Sequence, residues 1–126
     1  MAQSTEILPN GLQLLQDDRF FKLGQDSVLL SAFAKPRRNA KLLDLGCGTG
    51  ALALLVWRPD LKITGLELQD GPLDLFRQSI TANELENVTA LQGDLRQMRT
   101  LLPHGSMDYV ICNPPYFGRN TGADAP

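Results

Sequence analysis

Apolar residues come in short blocks separated by glycine, proline and acidic punctuation, and the blocks alternate between strand and helix periods. Leu42-Leu43-Asp44-Leu45 reads as a short strand, with Gly46-Cys47-Gly48-Thr49-Gly50 directly after it. Ala51 to Trp57 is apolar and helix-compatible, ending before Pro59. Leu61 to Leu66 predicts a second strand, with Glu67 at its end. Pro72 to Glu84 predicts a helix whose Leu73, Phe76 and Ile80 share one face at spacings of three and four. Asp70 is its expected cap, and Pro72 suits its first turn. Val88 to Leu91 predicts a third strand, ending near Gly93-Asp94. A weaker helix between Asp94 and Leu102, bounded by Pro103, leads to a fourth strand, Met107 to Cys112.

This β–α–β–α–β–α–β order over residues 40–116 predicts an α/β fold, a parallel sheet with flanking helices and right-handed crossovers. Two parts are expected: an N-terminal extension, residues 1–39, and the sheet domain, residues 40–126. In the extension, the alternating segment Leu8 to Leu15 is expected to pair as a hairpin with residues near Phe20-Phe21. A helix from Ser27 to Ala34 follows, capped by Asp26 or Ser27.

The candidate chemistry gathers at the predicted strand ends. Asn113-Pro114-Pro115-Tyr116 follows the apolar run Tyr109-Val110-Ile111-Cys112. Two prolines lack backbone N–H groups and fix φ, so they stop the strand and stiffen the turn. The Asn113 oxygen and the Pro114 carbonyl can accept hydrogens from a planar NH2 group, while Tyr116 stacks on its face. The glycine loop, strand before and helix after, lets a ligand lie on bare backbone at a helix N-terminus. Gly46-x-Gly48-x-x-Ala51 also satisfies the dinucleotide fingerprint, so the loop alone leaves a nicotinamide cofactor and S-adenosylmethionine both open. Asp44 and Gly50 favour the second. An acidic group there attracts the ammonium of a methionine moiety and would repel a pyrophosphate. Glu67 suits a ribose, accepting from both hydroxyls, and Asp94 suits an adenine amino group. A parallel sheet places Gly46, Glu67, Asp94 and Asn113 along one edge, where open α/β sheets bind ligands.

Composition adds bounds. With 126 residues and 43% hydrophobic content, the chain is long enough for one domain core. Its longest apolar run is too short to span a bilayer, and no basic segment followed by an apolar core marks a secretory signal. Cys47 and Cys112 lie beside predicted strand ends, and His104 sits in a Pro-His-Gly turn. No metal site is expected from these three; reduced, packed cysteines in a cytoplasmic protein are. A net charge of −2 weighs against strong nucleic-acid binding by the chain as a whole. Lys35, Arg37, Arg38 and Lys41 nevertheless form a basic stretch suited to a phosphate backbone or to a solvated connector.

Asp44-Leu-Gly-Cys-Gly-Thr-Gly50, Glu67, Gly93-Asp94 and Asn113-Pro-Pro-Tyr116 resemble the successive motifs of Rossmann-like S-adenosylmethionine-dependent methyltransferases. Asn-Pro-Pro-Tyr marks the branch that methylates planar amino or amide nitrogens. Within it, Asn10 to Gln16, Phe21 to Leu30, Ile80 to Leu85 and Phe117 resemble the bacterial tRNA1(Val) (adenine-37-N6)-methyltransferase family. The resemblance implies a class I methyltransferase fold, S-adenosylmethionine as cofactor and a tRNA as substrate. It implies cofactor contacts at Asp44, Gly46, Gly48, Gly50, Glu67, Leu68, Asp94, Leu95 and Asn113, with Asn113, Pro114 and Tyr116 acting on the acceptor nitrogen. A release-factor glutamine methyltransferase, a guanine N2-methyltransferase and a non-catalytic cofactor-binding module stay open beside it. Such methyltransferases have seven sheet strands and only four are read here, so a fold truncated after the fourth core strand, or one completed by a partner, is expected.

Overall fold

The computed structural model describes residues 3–17, 35–97 and 105–112. Six strands and two helices are found among them: β1 (Gln3–Ile7), β2 (Gln13–Asp17), β3 (Lys41–Leu45), α1 (Ala51–Leu55), β4 (Lys62–Glu67), α2 (Asp70–Ala82), β5 (Val88–Gln92) and β6 (Tyr109–Cys112), with a single 3-10 turn at Leu95–Gln97. The expected helix 27–34 and the elbow after Cys112 lie outside the described residues.

β3 to β6 form one parallel sheet in the order β5-β4-β3-β6. Chain order runs outward from β3 to β5 and then returns to the other side of β3. This reversal is the topological switch point, where doubly wound sheets open a crevice beyond the strand carboxyl ends.

Parallel register divides the side chains between two faces. Leu42, Asp44, Ile63, Gly65, Val88 and Ile111 share the face that packs on α1 and α2. Phe76 is fully buried there, as the three-and-four spacing of α2 requires. The other face carries Lys41, Leu43, Lys62, Thr64, Leu66, Thr89 and Val110.

The N-terminal hairpin differs from expectation. Leu8 to Leu15 is not one strand: it holds a turn, and the residues near Phe20 lie outside those described. β1 pairs antiparallel with β2, Ile7 opposite Gln13, around a tight connection in which Gly11 has φ 90°. Leu8 and Leu14 are buried, and the turn chemistry of Pro9-Asn10-Gly11 decided the register. Two other boundaries move. Gln69, not Asp70, is the N-cap of α2, without a side-chain cap bond, and Asp70 lies in the first turn. The expected helix after Asp94 is, where described, only the 3-10 turn. No helix among the described residues is long and apolar enough to cross a membrane.

Candidate functional site

The glycine loop wraps the carboxyl end of β3 and feeds α1. Gly46, Gly48 and Gly50 all have positive φ, at 63°, 57° and 89°. A Cβ added at Gly46 or Gly48 would meet nothing within 4 Å, so these two present bare backbone to open space. Gly50 is different. A Cβ there would lie 2.1 Å from the Phe76 ring, so the chain must pass this point without a side chain.

Glu67 closes the loop from the neighbouring strand. One carboxylate oxygen accepts the Gly48 N–H at 2.8 Å and the other accepts the Gln69 N–H at 3.0 Å. A carboxylate has about four acceptor positions, so roughly two remain for a further donor pair such as a diol. The Cys47 N–H donates to the Leu66 carbonyl at 3.0 Å and the Gly93 N–H to the Glu67 carbonyl at 3.0 Å. β3, β4 and β5 thus meet at one edge through backbone bonds.

Asp44 sits deeper than its spacing suggested. Its carboxyl is 1% exposed, on the core face beside Gly65, and its Oδ2 is buried without a partner. Burial pushes its pKa up to about 8; the Ala53 backbone N–H opposes this and the Glu67 charge adds to it. Cys47, whose Sγ reaches over Gly65, is likewise pushed up by burial and then by Asp44 and Glu67. The two cysteines are free. Cys47 lies on the Asp44 face, whereas Cys112 pairs in register with Leu45 and belongs to the opposite one, so they do not face each other.

Asp94 follows β5 as expected, but Arg96 engages its carboxylate at 2.6 Å and the Arg96 N–H donates to it at 2.9 Å. These contacts hold its pKa below the usual carboxylate range. Leu68 stands exposed beside Glu67, and Leu95 opens the 3-10 turn. The structure therefore gathers Asp44, Gly46, Gly48, Gly50, Glu67 and Leu68 around one loop, with Asp94 and Leu95 beyond the adjacent strand. Asn113, Pro114 and Tyr116 lie outside the described residues; β6 ends at Cys112, directly before them, on the other side of β3.

Sequence reasoning missed Phe76 as part of this site. Its ring also lies 2.5 Å from a Cβ placed on Gly65, so it fills the notch left by two glycines far apart in sequence. Gly65 interrupting a strand was the available signal, since such a glycine often marks close approach.

Residues 24–124 match the family model described as methyltransferase small domain. The chain belongs to that family. Among its curated relatives, the tRNA1(Val) (adenine(37)-N6)-methyltransferase of Pseudoalteromonas translucida is 35% identical over 101 residues, covering 79% of this chain and 42% of the relative. This methyltransferase small domain chain thus spans about two fifths of the length of the curated relatives it matches. Two solved structures are similar to it in fold. A Pyrococcus abyssi tRNA (uracil-54, C5)-methyltransferase in complex with S-adenosyl-L-homocysteine has a TM-score of 0.69 at 16% identity, over 90% of this chain and 28% of that one. A tRNA methyltransferase of M. jannaschii has a TM-score of 0.69 at 20% identity, over 94% and 37%. The fold is the Rossmann-like methyltransferase fold, with a strand order that reverses at β3.

Proposed function

We propose that this chain carries the cofactor-binding portion of an S-adenosylmethionine-dependent N-methyltransferase that modifies the N6 of an adenine in a tRNA. The observation that carries the reading is the Glu67 bridge: one carboxylate clamps the glycine loop to the start of α2 and keeps acceptor positions free at the switch point. The donor set fits the cofactor. Glu67 suits the ribose diol, and the bare backbone of Gly46 and Gly48 allows close approach. Asp44 places an unpartnered oxygen beneath the loop, suited to a cationic group. Leu68 offers apolar surface for a base, and Asp94 can accept from its amino group once Arg96 releases it.

When bound, the cofactor supplies a methyl group already activated on a sulfonium. The remaining difficulty is the acceptor nitrogen, whose lone pair is delocalised into the ring. Asn113 and the Pro114 carbonyl accept its two hydrogens in this proposal, favouring tetrahedral character and stabilising the charge that develops on nitrogen. Tyr116 stacks on the base, worth roughly 1–3 kcal/mol in comparable contacts. The adenine N6 choice is supported by the curated relative's name, and the protein as a whole, with its tRNA, belongs to the proposal.

Calorimetry with S-adenosylhomocysteine and with NAD tests the cofactor. Binding of the first alone is expected; binding of NAD alone would sink the reading. Tritiated methyl transfer to unmodified tRNA tests the acceptor in the longer protein. Label entering release factor and not tRNA would move the reaction to a glutamine amide.

A further inference from the structure

Parallel sheets normally bury both faces under apolar side chains. On the face opposite the core, this one does so around Leu43 and Leu66 and not at the first residues of β3 and β4. Leu43 and Leu66 are buried and Thr64, the register partner of Leu43, is half-buried, whereas Lys41 and Lys62 at the strand starts, Thr89 on β5 and Val110 on β6 are exposed. Lys41 and Lys62 are direct register partners, and so are Thr64 and Thr89. Strands about 4.8 Å apart hold the two lysine stems side by side, an arrangement that disfavours folding unless something neutralises it.

The nearby acids are already committed. Asp60 accepts from Arg58 at 2.8 Å and from the Asn39 N–H at 2.8 Å. Asp108 accepts from Arg37 at 2.8 Å and from the Lys41 backbone N–H at 2.8 Å. Among the described residues, neither Lys41, Lys62 nor the exposed Arg38 makes an ion pair. Lys62, Thr64 and Thr89 also line an open depression of about 510 Å³, with Trp57 on its wall and Glu86 as its single acid. Cationic and hydroxyl donors on one flat face, with little competing negative charge, complement a chain of phosphates.

We propose that this amino-terminal end of the sheet is a docking surface for the sugar–phosphate backbone of an RNA, separate from the crevice above β3. A strand of about five residues spans roughly 17 Å, so the surface holds a stretch of backbone away from the nucleotide that reacts. It reads no sequence; it positions. The inference rests on the RNA reading above.

The test is RNA binding by fluorescence anisotropy against salt, using an unmodified tRNA transcript and an RNA hairpin of unrelated sequence. For Lys41→Gln with Lys62→Gln, the slope of log affinity against log salt should become shallower by about 1.5, with affinity down about tenfold for both RNAs. Glu86→Gln should change binding in the opposite direction. S-adenosylhomocysteine affinity should stay unchanged, and the melting temperature of the double-lysine variant should be equal or higher, because a like-charge pair is removed. An unaltered salt slope in variants of a protein that binds RNA overturns the surface alone. Inorganic phosphate is titrated in parallel; a loss confined to phosphate, with RNA binding unaltered, assigns the patch to a small anion and also overturns it. If the unaltered protein binds neither RNA, while still binding S-adenosylhomocysteine, the RNA reading falls and this surface with it.

Discussion

Phe76, in the middle of α2, lies against the bare Cα atoms of both Gly50 and Gly65, so close that a Cβ on Gly65 would approach its ring to 2.5 Å. One aromatic ring therefore ties the exit of the glycine loop to the centre of β4. Gly65→Ala, at a residue without positive φ, should cost about 1–3 kcal/mol by overpacking alone. Phe76→Leu in the same chain should recover part of that loss, which a double-mutant cycle from urea denaturation would reveal as a coupling of about 0.5 kcal/mol or more.

Glu67 should behave as a binding residue more than a stabilising one. Replacing it with Ala leaves the Gly48 and Gln69 N–H groups without their acceptor and removes the proposed diol contact. S-adenosylhomocysteine affinity should fall by about 1–3 kcal/mol in calorimetry.

Asp44 makes stability depend on pH. Its folded pKa, about 8, lies above the ordinary carboxylate value because the charged form is buried. The folded state therefore holds a proton that the unfolded state has lost. Its stabilising contribution is complete below about pH 4 and disappears as pH rises through about 8, with a slope of at most about 1.4 kcal/mol per pH unit. Asp44→Asn should flatten the stability profile across that window, as followed by chemical denaturation at a series of pH values.

The hairpin is fastened to α2 by polar side chains. The fully buried Ser79 accepts the Leu15 N–H at 2.9 Å, and Asn83 both accepts from the Gln13 N–H and donates to its carbonyl at 2.8 Å. Asn83→Ala should speed amide exchange in residues 3–17 well before it affects the sheet. Ser79→Ala should destabilise by about 1–3 kcal/mol through the unpaired Leu15 amide.

Among the described residues β6 has one strand neighbour, and Val110 is 56% exposed on it. Uncharged edges with exposed β-branched residues invite pairing between chains. Val110→Lys should lower self-association of the 126-residue protein in light scattering.

How much of this could be read in advance differs by level. Each core strand and both helices lie within two or three residues of their expected bounds, because apolar period and glycine or proline punctuation are local signals. The turn inside Leu8 to Leu15 was missed for an equally local reason. Alternation cannot say which of its residues form the turn, and Pro9-Asn10-Gly11 was passed over. Gly46, Glu67 and Asp94 do follow the ends of adjacent strands, since parallel topology alone brings strand ends to one edge, while Asn113 lies outside the described residues.

The order of residue types along the chain thus determined the α/β class, the edge at which the candidate residues gather and the family likeness. Only the tertiary structure decided what each side chain meets there. It buried Asp44 beneath the loop, engaged Asp94 with Arg96, set the two cysteines on opposite faces and brought Phe76 between two glycines. It also stood Lys41 and Lys62 together at the far end of the sheet. Such pairings depend on strand register and helix docking across tens of residues. Those are settled by packing the whole core at once, which no local spacing records.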